Sequence, residues 1–313
     1  MTRWRQSSLS IAFTACWGLL GMLLPGPARA ASIEVNGQFV NAGGGIRTGV
    51  VGGFLTYAMP TESMEEGKWY VKVVPGYFLD SGSNDGEKLV QFDAQGVGMT
   101  VRFLRALNDH WGVGFQGIYA RSVSGNAQQI STGARGFENP DSSRLNLPLL
   151  YSAYSALAEV VYDPFTGQGF RLPMFVGLSL TALDATTEGT FQFQGNSFYT
   201  KNKTQPIPVP GIAVGIAPQQ SWGLFRFIPF AVARHDFQKM TRLHRLENVT
   251  TGEVVESGGT PHTYSSLHLG ITLKYIPWDL SVSYVRAGLI IANHAAPVDS
   301  QTELFTLAWS KTF

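Results

Sequence analysis

The sequence predicts an all-β protein, a single antiparallel transmembrane β-barrel of about twelve strands within a range of about ten to fourteen. Three observations predict this fold class. Apolar residues recur with a period of two, and aromatic residues make up 12% of the 313 residues. Charged residues make up only 14% of the chain, against about a quarter in soluble domains. A chain with so few charges needs an apolar surrounding for much of its surface, and lipid provides one.

The first thirty residues have the pattern of a cleaved secretory signal. Two arginines precede a short apolar run, and Ala28-Arg29-Ala30 then supplies the small-x-small site that a signal peptidase reads. We therefore expect a signal peptide over 1–30 and a barrel domain over 31–313. A retained membrane anchor is the alternative, but the run is short for a spanning helix and ends in Pro-Gly-Pro.

Cleavage at this site would change the composition in two ways. Cys16 is the only cysteine, so the mature chain would hold neither a disulfide nor a thiolate metal site. The signal carries three of the 23 basic residues and none of the 22 acidic ones, which leaves 20 against 22 and a net charge of −2. A nearly neutral chain is not expected to bind nucleic acid.

Turn signals divide the mature chain into twelve alternating segments. Their approximate bounds are 33–41, 47–59, 68–80, 88–105, 111–122, 149–163, 170–182, 207–217, 223–236, 262–275, 280–292 and 301–313. Most are close to the ~9–11 residues that a tilted strand needs to cross a bilayer. Short and long connections alternate along the chain. The long ones, 123–148, 183–206 and 237–261, are expected outside the cell and the short ones in the periplasm.

The last ten residues, Leu304 to Phe313, alternate between apolar and polar side chains and end on an aromatic. This segment resembles the C-terminal strand of Gram-negative outer-membrane β-barrel proteins. Four residues match that pattern: Phe305, Leu307, Trp309 and Phe313. Lys311 departs from it, since the family commonly has tyrosine or another apolar residue there. The resemblance implies recognition by the barrel-assembly machinery and a location in the bacterial outer membrane, with lipid as the surrounding partner.

The polar face of the predicted strands should point into the lumen of the barrel, because the apolar face meets lipid. Six charged or titratable residues on that face are candidates for lining the lumen: Lys72, Arg102, Glu159, Arg171, His268 and Lys274. We expect a channel or transporter for passive or modestly selective passage of small solutes. We expect no cofactor, no metal site, no catalytic residue and no enzymatic activity.

Two other functions remain open at this stage. One is a membrane-embedded hydrolase acting on lipid, for which Ser266 and His268 are the best nucleophile and base. They share the face opposite Leu267 and Leu269, however, so they should point into the barrel and away from lipid. The other is a structural or adhesive barrel with a blocked lumen. A soluble β-sandwich would share the alternation but not the C-terminal strand.

Overall fold

The computed structural model describes residues 31–35, 38–42, 57–85, 88–131, 144–165, 169–193, 195–204, 207–237, 242–258, 265–291 and 298–313. Nearly all of this is β-strand. The strands are β1 Ala31–Val35, β2 Gln38–Ala42, β3 Trp69–Asp85, β4 Lys88–Ala106, β5 Trp111–Ser131, β6 Arg144–Tyr162, β7 Phe170–Arg171, β8 Met174–Phe193, β9 Asn196–Thr204, β10 Val209–Ile216, β11 Gln219–Trp222, β12 Phe225–Asp236, β13 Arg242–Asn248, β14 Glu253–Gly258, β15 Ser265–Tyr275, β16 Leu280–Ile291 and β17 Val298–Thr312. The described residues include no helix long and apolar enough to span a membrane.

Ten strands close an antiparallel barrel in the order β3, β4, β5, β6, β8, β10, β12, β15, β16 and β17. The ring closes where β17 pairs with β3, with Ser310 opposite Lys72 and Thr312 opposite Tyr70. Trp69 and Phe313 then exchange backbone hydrogen bonds of 3.1 and 2.8 Å at the rim. Closure satisfies the backbone groups that an open sheet edge would expose to lipid.

The predicted barrel is confirmed, and the described residues supply ten barrel strands, which is fewer than the expected twelve and at the lower limit of the predicted range of ten to fourteen. The two extra segments are the N-terminal ones. The segment 33–41 folds into the hairpin β1–β2, a separate two-stranded sheet. Most of the segment 47–59 lies outside the described residues, and residues 57–59 are buried without strand pairing. Alternation identifies a strand-like face but does not say which neighbour covers it. The predicted signal peptide also lies outside the described residues.

The outer face of the barrel is a continuous apolar band. Among the described side chains in the middle of the barrel strands, alternate residues are exposed or half-exposed and mostly apolar, while the residues between them are mostly buried. The exposed set includes Val97, Met99, Phe103, Val113, Phe115, Val176, Leu178, Leu180, Val214, Leu269, Ile271, Leu273, Val282, Phe305 and Leu307. This is the arrangement of a membrane barrel, in which the apolar side chains face lipid rather than a core.

Aromatic residues border this band at two levels. On β3, β5 and β6 the two levels are eight residues apart, at Trp69 and Tyr77, Trp111 and Tyr119, and Tyr162 and Tyr154. Eight residues span about 26 Å along a strand, or about 20 Å after a tilt of about 40°. Within the levels the rings are in contact, for example Trp111 with Tyr162 at 4.5 Å and Tyr119 with Tyr154 at 5.2 Å. The spacing fits an apolar belt with interfacial aromatics on both sides.

The predicted long loops are largely strand. β5 and β6 extend into the segment 123–148, and β8 and β9 occupy most of 183–206. β13 and β14 form a hairpin within 237–261, and β13 pairs with β9. The result is a four-stranded extension of the wall, β8–β9–β13–β14, beyond one end of the barrel. The connections at the opposite end are short, so the alternation of short and long connections persists.

Much of the interior is filled by side chains. Three phenylalanines lie over the glycine directly opposite them on the neighbouring strand: Phe78 over Gly96, Phe175 over Gly215, and Phe230 over Gly270. A Cβ at any of these glycines would overlap the ring. The space above each of these glycines is therefore occupied by an aromatic ring from the neighbouring strand.

Candidate functional site in the barrel lumen

The six residues predicted to line the lumen all lie on the inward face of the wall and are buried. Arg102 and Glu159 form an ion pair, with the guanidinium Nε 2.5 Å from a carboxylate oxygen. Lys72 is directly opposite Arg102 in the register of β3 and β4. Arg171 and Lys274 lie in the same half of the barrel, the half near the short connections, whereas His268 lies farther up β15.

A segment of the chain itself occupies this half of the lumen. Residues 57–64, which we call the lumenal strap, are buried except for Ser63, and they run without strand pairing to the turn that precedes β3. Tyr57 lies deepest, with its ring 5.5 Å from His268 in an edge-on contact and 6.3 Å from Phe175. Met64 lies at the other end of the strap, where its sulfur covers Gly112 of β5.

Side chains of the wall, rather than strand partners, satisfy the strap backbone. The Gln116 side chain accepts a hydrogen bond of 2.9 Å from the Ala58 amide. Five consecutive carbonyls then accept hydrogen bonds from five different side chains of the wall. These bonds are Lys72 to Met59 at 3.0 Å, Gln219 to Pro60 at 2.5 Å, Arg226 to Thr61 at 2.8 Å, Arg171 to Glu62 at 2.6 Å and Tyr70 to Ser63 at 2.7 Å. Buried backbone groups require such partners.

Glu62 is the one acidic residue of the strap, and its carboxylate is held by its neighbour Thr61. The Thr61 hydroxyl donates to one carboxylate oxygen at 2.7 Å, and the Thr61 amide donates to the other at 3.0 Å. Lys72 donates to the same Thr61 hydroxyl at 3.0 Å. The contacts therefore run from a lysine of the wall through a threonine to the Glu62 carboxylate.

Several residues of this site were not among the sequence candidates. Asp163 pairs with Arg171 at 2.5 Å, and Asp236 pairs with Arg234 at 2.5 Å, both pairs being buried. Asp163 shares strand parity with Glu159, so its inward position could have been predicted from the alternation of β6. Gln219 falls at the predicted turn between the segments 207–217 and 223–236, where alternation gives no orientation. Arg226 lies inside the predicted strand 223–236 but was not among the candidates, and no sequence signal identifies Glu62.

The serine and histidine considered for lipid hydrolysis do meet. The Ser266 hydroxyl is 3.0 Å from the His268 Nε2, and both side chains are buried inside the barrel. A lipid chain in the surrounding membrane cannot reach them across the wall. Among the described residues no group of three or more acids, histidines or cysteines could hold a metal ion, and the absence of a cofactor stays a prediction.

The apolar residues of the last strand face outward, as expected from its resemblance to the C-terminal strand of outer-membrane β-barrel proteins. Phe305, Leu307 and Trp309 point outward and are exposed, and Phe313 lies exposed at the rim beside Trp69. Lys311 is also on this face, with its ammonium group 5.0 Å from the centre of the Phe313 ring. Recognition of these four residues by the assembly machinery stays a prediction.

A closed barrel with an apolar belt, two aromatic levels and an aromatic-ended last strand defines an outer-membrane β-barrel protein. No family model matches the chain, and no curated protein matches it in sequence. Similar solved structures include the outer membrane protease OmpT from Escherichia coli, with a TM-score of 0.49 and 8% identity over 82% of this chain and 100% of that chain. OprG from Pseudomonas aeruginosa has a TM-score of 0.37 and 11% identity, covering 80% of this chain and 98% of that chain.

A third similar structure is Ail, the attachment invasion locus protein of Yersinia pestis, with a TM-score of 0.29 and 14% identity over 79% of this chain and 99% of that chain.

The expectation that the protein is not an enzyme is corrected here. It rested on the inward position of Ser266 and His268, the best candidate nucleophile and base, whereas solved barrels similar to this chain include a protease. Membership of the class therefore does not exclude catalysis.

Proposed function

We propose that the protein is a gated passage for small solutes across the outer membrane, closed in this conformation by the lumenal strap. The observation that carries the proposal is the way in which the strap is held. Its backbone contacts side chains of the wall and shares no strand ladder with the described wall strands. A segment held in this manner can leave without opening the wall, because all ten barrel strands keep their own partners.

The wall surface that the strap covers is polar and could be hydrated if the strap left. Lys72, Gln116, Arg171 and Gln219 would lose strap partners if it moved, and water could replace those hydrogen bonds. The strap itself is anchored in part by buried apolar side chains, above all Tyr57, Met59 and Met64. Release of the strap would therefore exchange apolar contacts for a hydrated, polar passage.

Conductance in a planar bilayer tests the proposal. We expect the wild-type protein to open rarely and the full-length variant Tyr57→Ser/Met59→Ser/Met64→Ser, called here the released variant, to conduct much more often. Each substitution removes a buried side chain that is worth about 2–5 kcal/mol in a core. The matched control is Glu66→Ser, on the exposed turn after the strap. If folded wild-type and released proteins both fail to pass current, the passage does not exist.

A second function is favoured by a different observation. The extension β8–β9–β13–β14 lies beyond the belt, where it is available to a partner outside the cell. In that case the barrel would be a structural or adhesive anchor, and the strap a permanent filling. Failure of the released variant to conduct, together with binding that is lost when the β13–β14 hairpin is replaced by a short turn, would favour this function.

A further inference from the structure

Three cations form a row across the wall beside the strap. Lys72 on β3 is directly opposite Arg102 on β4 and, on its other side, opposite Ser310 on β17. The Ser310 hydroxyl accepts a hydrogen bond of 3.4 Å from Lys274 on β15. All three cationic side chains are buried and inward, so they present positive charge to one level of the lumen.

Two of the three cations of this row have an acidic partner, and Lys72 has none among the described residues. Lys274 is paired with Asp279 at 2.6 Å, and Arg102 is paired with Glu159 through its Nε. The Nη1 and Nη2 groups of Arg102 have no hydrogen-bond partner among the described residues, although the residue is only 1% exposed. Within the same part of the chain, Lys72 bonds only to strap atoms, the Met59 carbonyl and the Thr61 hydroxyl. A buried hydrogen-bond donor without an acceptor destabilises the fold, so a bound acceptor at this row would be stabilising.

The Glu62 carboxyl is the anion that the strap brings to the row, since Thr61 donates to this carboxyl and accepts a hydrogen bond from Lys72. Burial alone would raise the pKa of this carboxyl. The nearby positive charges of Lys72, Lys274 and Arg102 together lower the pKa by more than burial raises it, so that the pKa falls from 4.5 to about 2. The strap therefore brings a carboxylate to a place where the wall supplies positive charge.

We infer that the row of Lys72, Arg102 and Lys274 is a binding site for small carboxylate anions, which Glu62 fills when the strap is in place and a solute carboxylate fills when the strap has left. The inference rests on the gated passage proposed above. Withdrawal of the strap removes Glu62 and leaves, among the described residues, five cations at this end of the lumen, Lys72, Arg102, Arg171, Arg226 and Lys274, against the three acids Glu159, Asp163 and Asp279. An excess of fixed positive charge in a pore favours anions.

The test measures current through the released variant. In a potassium chloride gradient the reversal potential should show chloride preferred over potassium by about threefold or more. Acetate is the carboxylate probe, and it should reduce the chloride current in a saturable manner. The additional substitution Lys72→Gln should raise the half-blocking concentration of acetate by about fivefold, because one of three attracting charges is gone. Lys311→Gln is the matched control, since that lysine lies on the outer face.

The outcomes separate the two proposals. If the released variant conducts but prefers potassium or neither ion, the anion site is wrong and the gated passage stands. If it prefers chloride but the additional Lys72→Gln substitution leaves the acetate block unchanged, the row is not the site. If Lys72→Gln prevents folding, Glu62→Gln in the wild-type chain provides a second test. This variant should open more often than the wild type, because the strap loses the negative charge that the row of cations attracts. An opening frequency equal to that of the wild type would overturn the inference.

Discussion

At the scale of single residues, the three phenylalanine–glycine pairs explain how a ten-stranded wall is filled. Each ring covers the backbone of the glycine opposite it, so the two residues act as one unit across the strand pair. Alternation along a strand predicts only that a small residue such as Gly270, between Leu269 and Ile271, faces inward. It does not reveal that the space is taken, because the ring that fills it comes from a neighbouring strand.

The first prediction concerns Gly270. Gly270→Ala should lower the free energy of unfolding by about 1–3 kcal/mol, because the new methyl group displaces the Phe230 ring inside a packed wall. Gly117→Ala is the control, since its Cβ would meet nothing closer than a Phe115 ring carbon at 3.9 Å. Urea unfolding in detergent micelles measures both. Equal stability of the two variants would show that the ring moves freely.

A second prediction concerns the buried ion pair. Glu159→Gln should lower the free energy of unfolding by about 3–5 kcal/mol, because it leaves the Arg102 charge buried without its partner. The same change at Glu188, whose partner Lys201 is 41% exposed, should have almost no effect. Urea unfolding in detergent micelles again measures both variants. A small decrease in the free energy of unfolding of Glu159→Gln would indicate that water or the Glu62 carboxylate replaces the Glu159 carboxylate beside Arg102.

At the scale of elements, the strap is the part of the structure that depends most on one ionisable group. The pKa of Glu62 is lowered from 4.5 to about 2, so its charge stabilises the bound strap fully above about pH 4.5, and this stabilisation is lost as the pH falls through about 2. We predict that the opening frequency of the wild-type channel rises across this acid window. Glu62→Gln should lack this step, whereas Glu65→Gln on the exposed turn should keep it. An unchanged acid step in Glu62→Gln would assign it to other carboxyl groups.

The elements also show what the sequence can predict. All ten barrel strands overlap predicted segments, because each has an apolar face toward lipid and a period of two. Residues 57–59 of the strap are predicted as the end of the strand 47–59, because Tyr57 and Met59 alternate with the smaller Ala58, whereas residues 60–64 fall in a predicted connection. The true partners of the strap, such as Gln219 and Arg226, are about 160 residues away in the chain. A single sequence does not encode such pairings in any local pattern.

At the scale of the whole molecule, the two ends of the barrel differ. The end with Phe313 and short connections is expected in the periplasm, and the end with the β13–β14 hairpin outside the cell. An epitope inserted at 249–252, in the turn of that hairpin, should therefore be labelled by antibody on intact bacteria. The same epitope at 107–110, between β4 and β5, should be labelled only after the outer membrane is permeabilised. The reverse pattern would invert the orientation.

The central claim is that a closed membrane barrel is blocked by its own strap, and a cleavable crosslink tests it most directly. Ala58→Cys and Gln116→Cys place thiols at a strap–wall contact, and Cys16, the only native cysteine, lies in the predicted signal. We predict that a short bifunctional methanethiosulfonate reagent joins the two thiols through disulfides, with release of sulfinate, and suppresses openings in a planar bilayer, and that reduction of these disulfides by a phosphine restores the openings. Failure to crosslink in a folded barrel, or equal current before and after cleavage, would contradict the account.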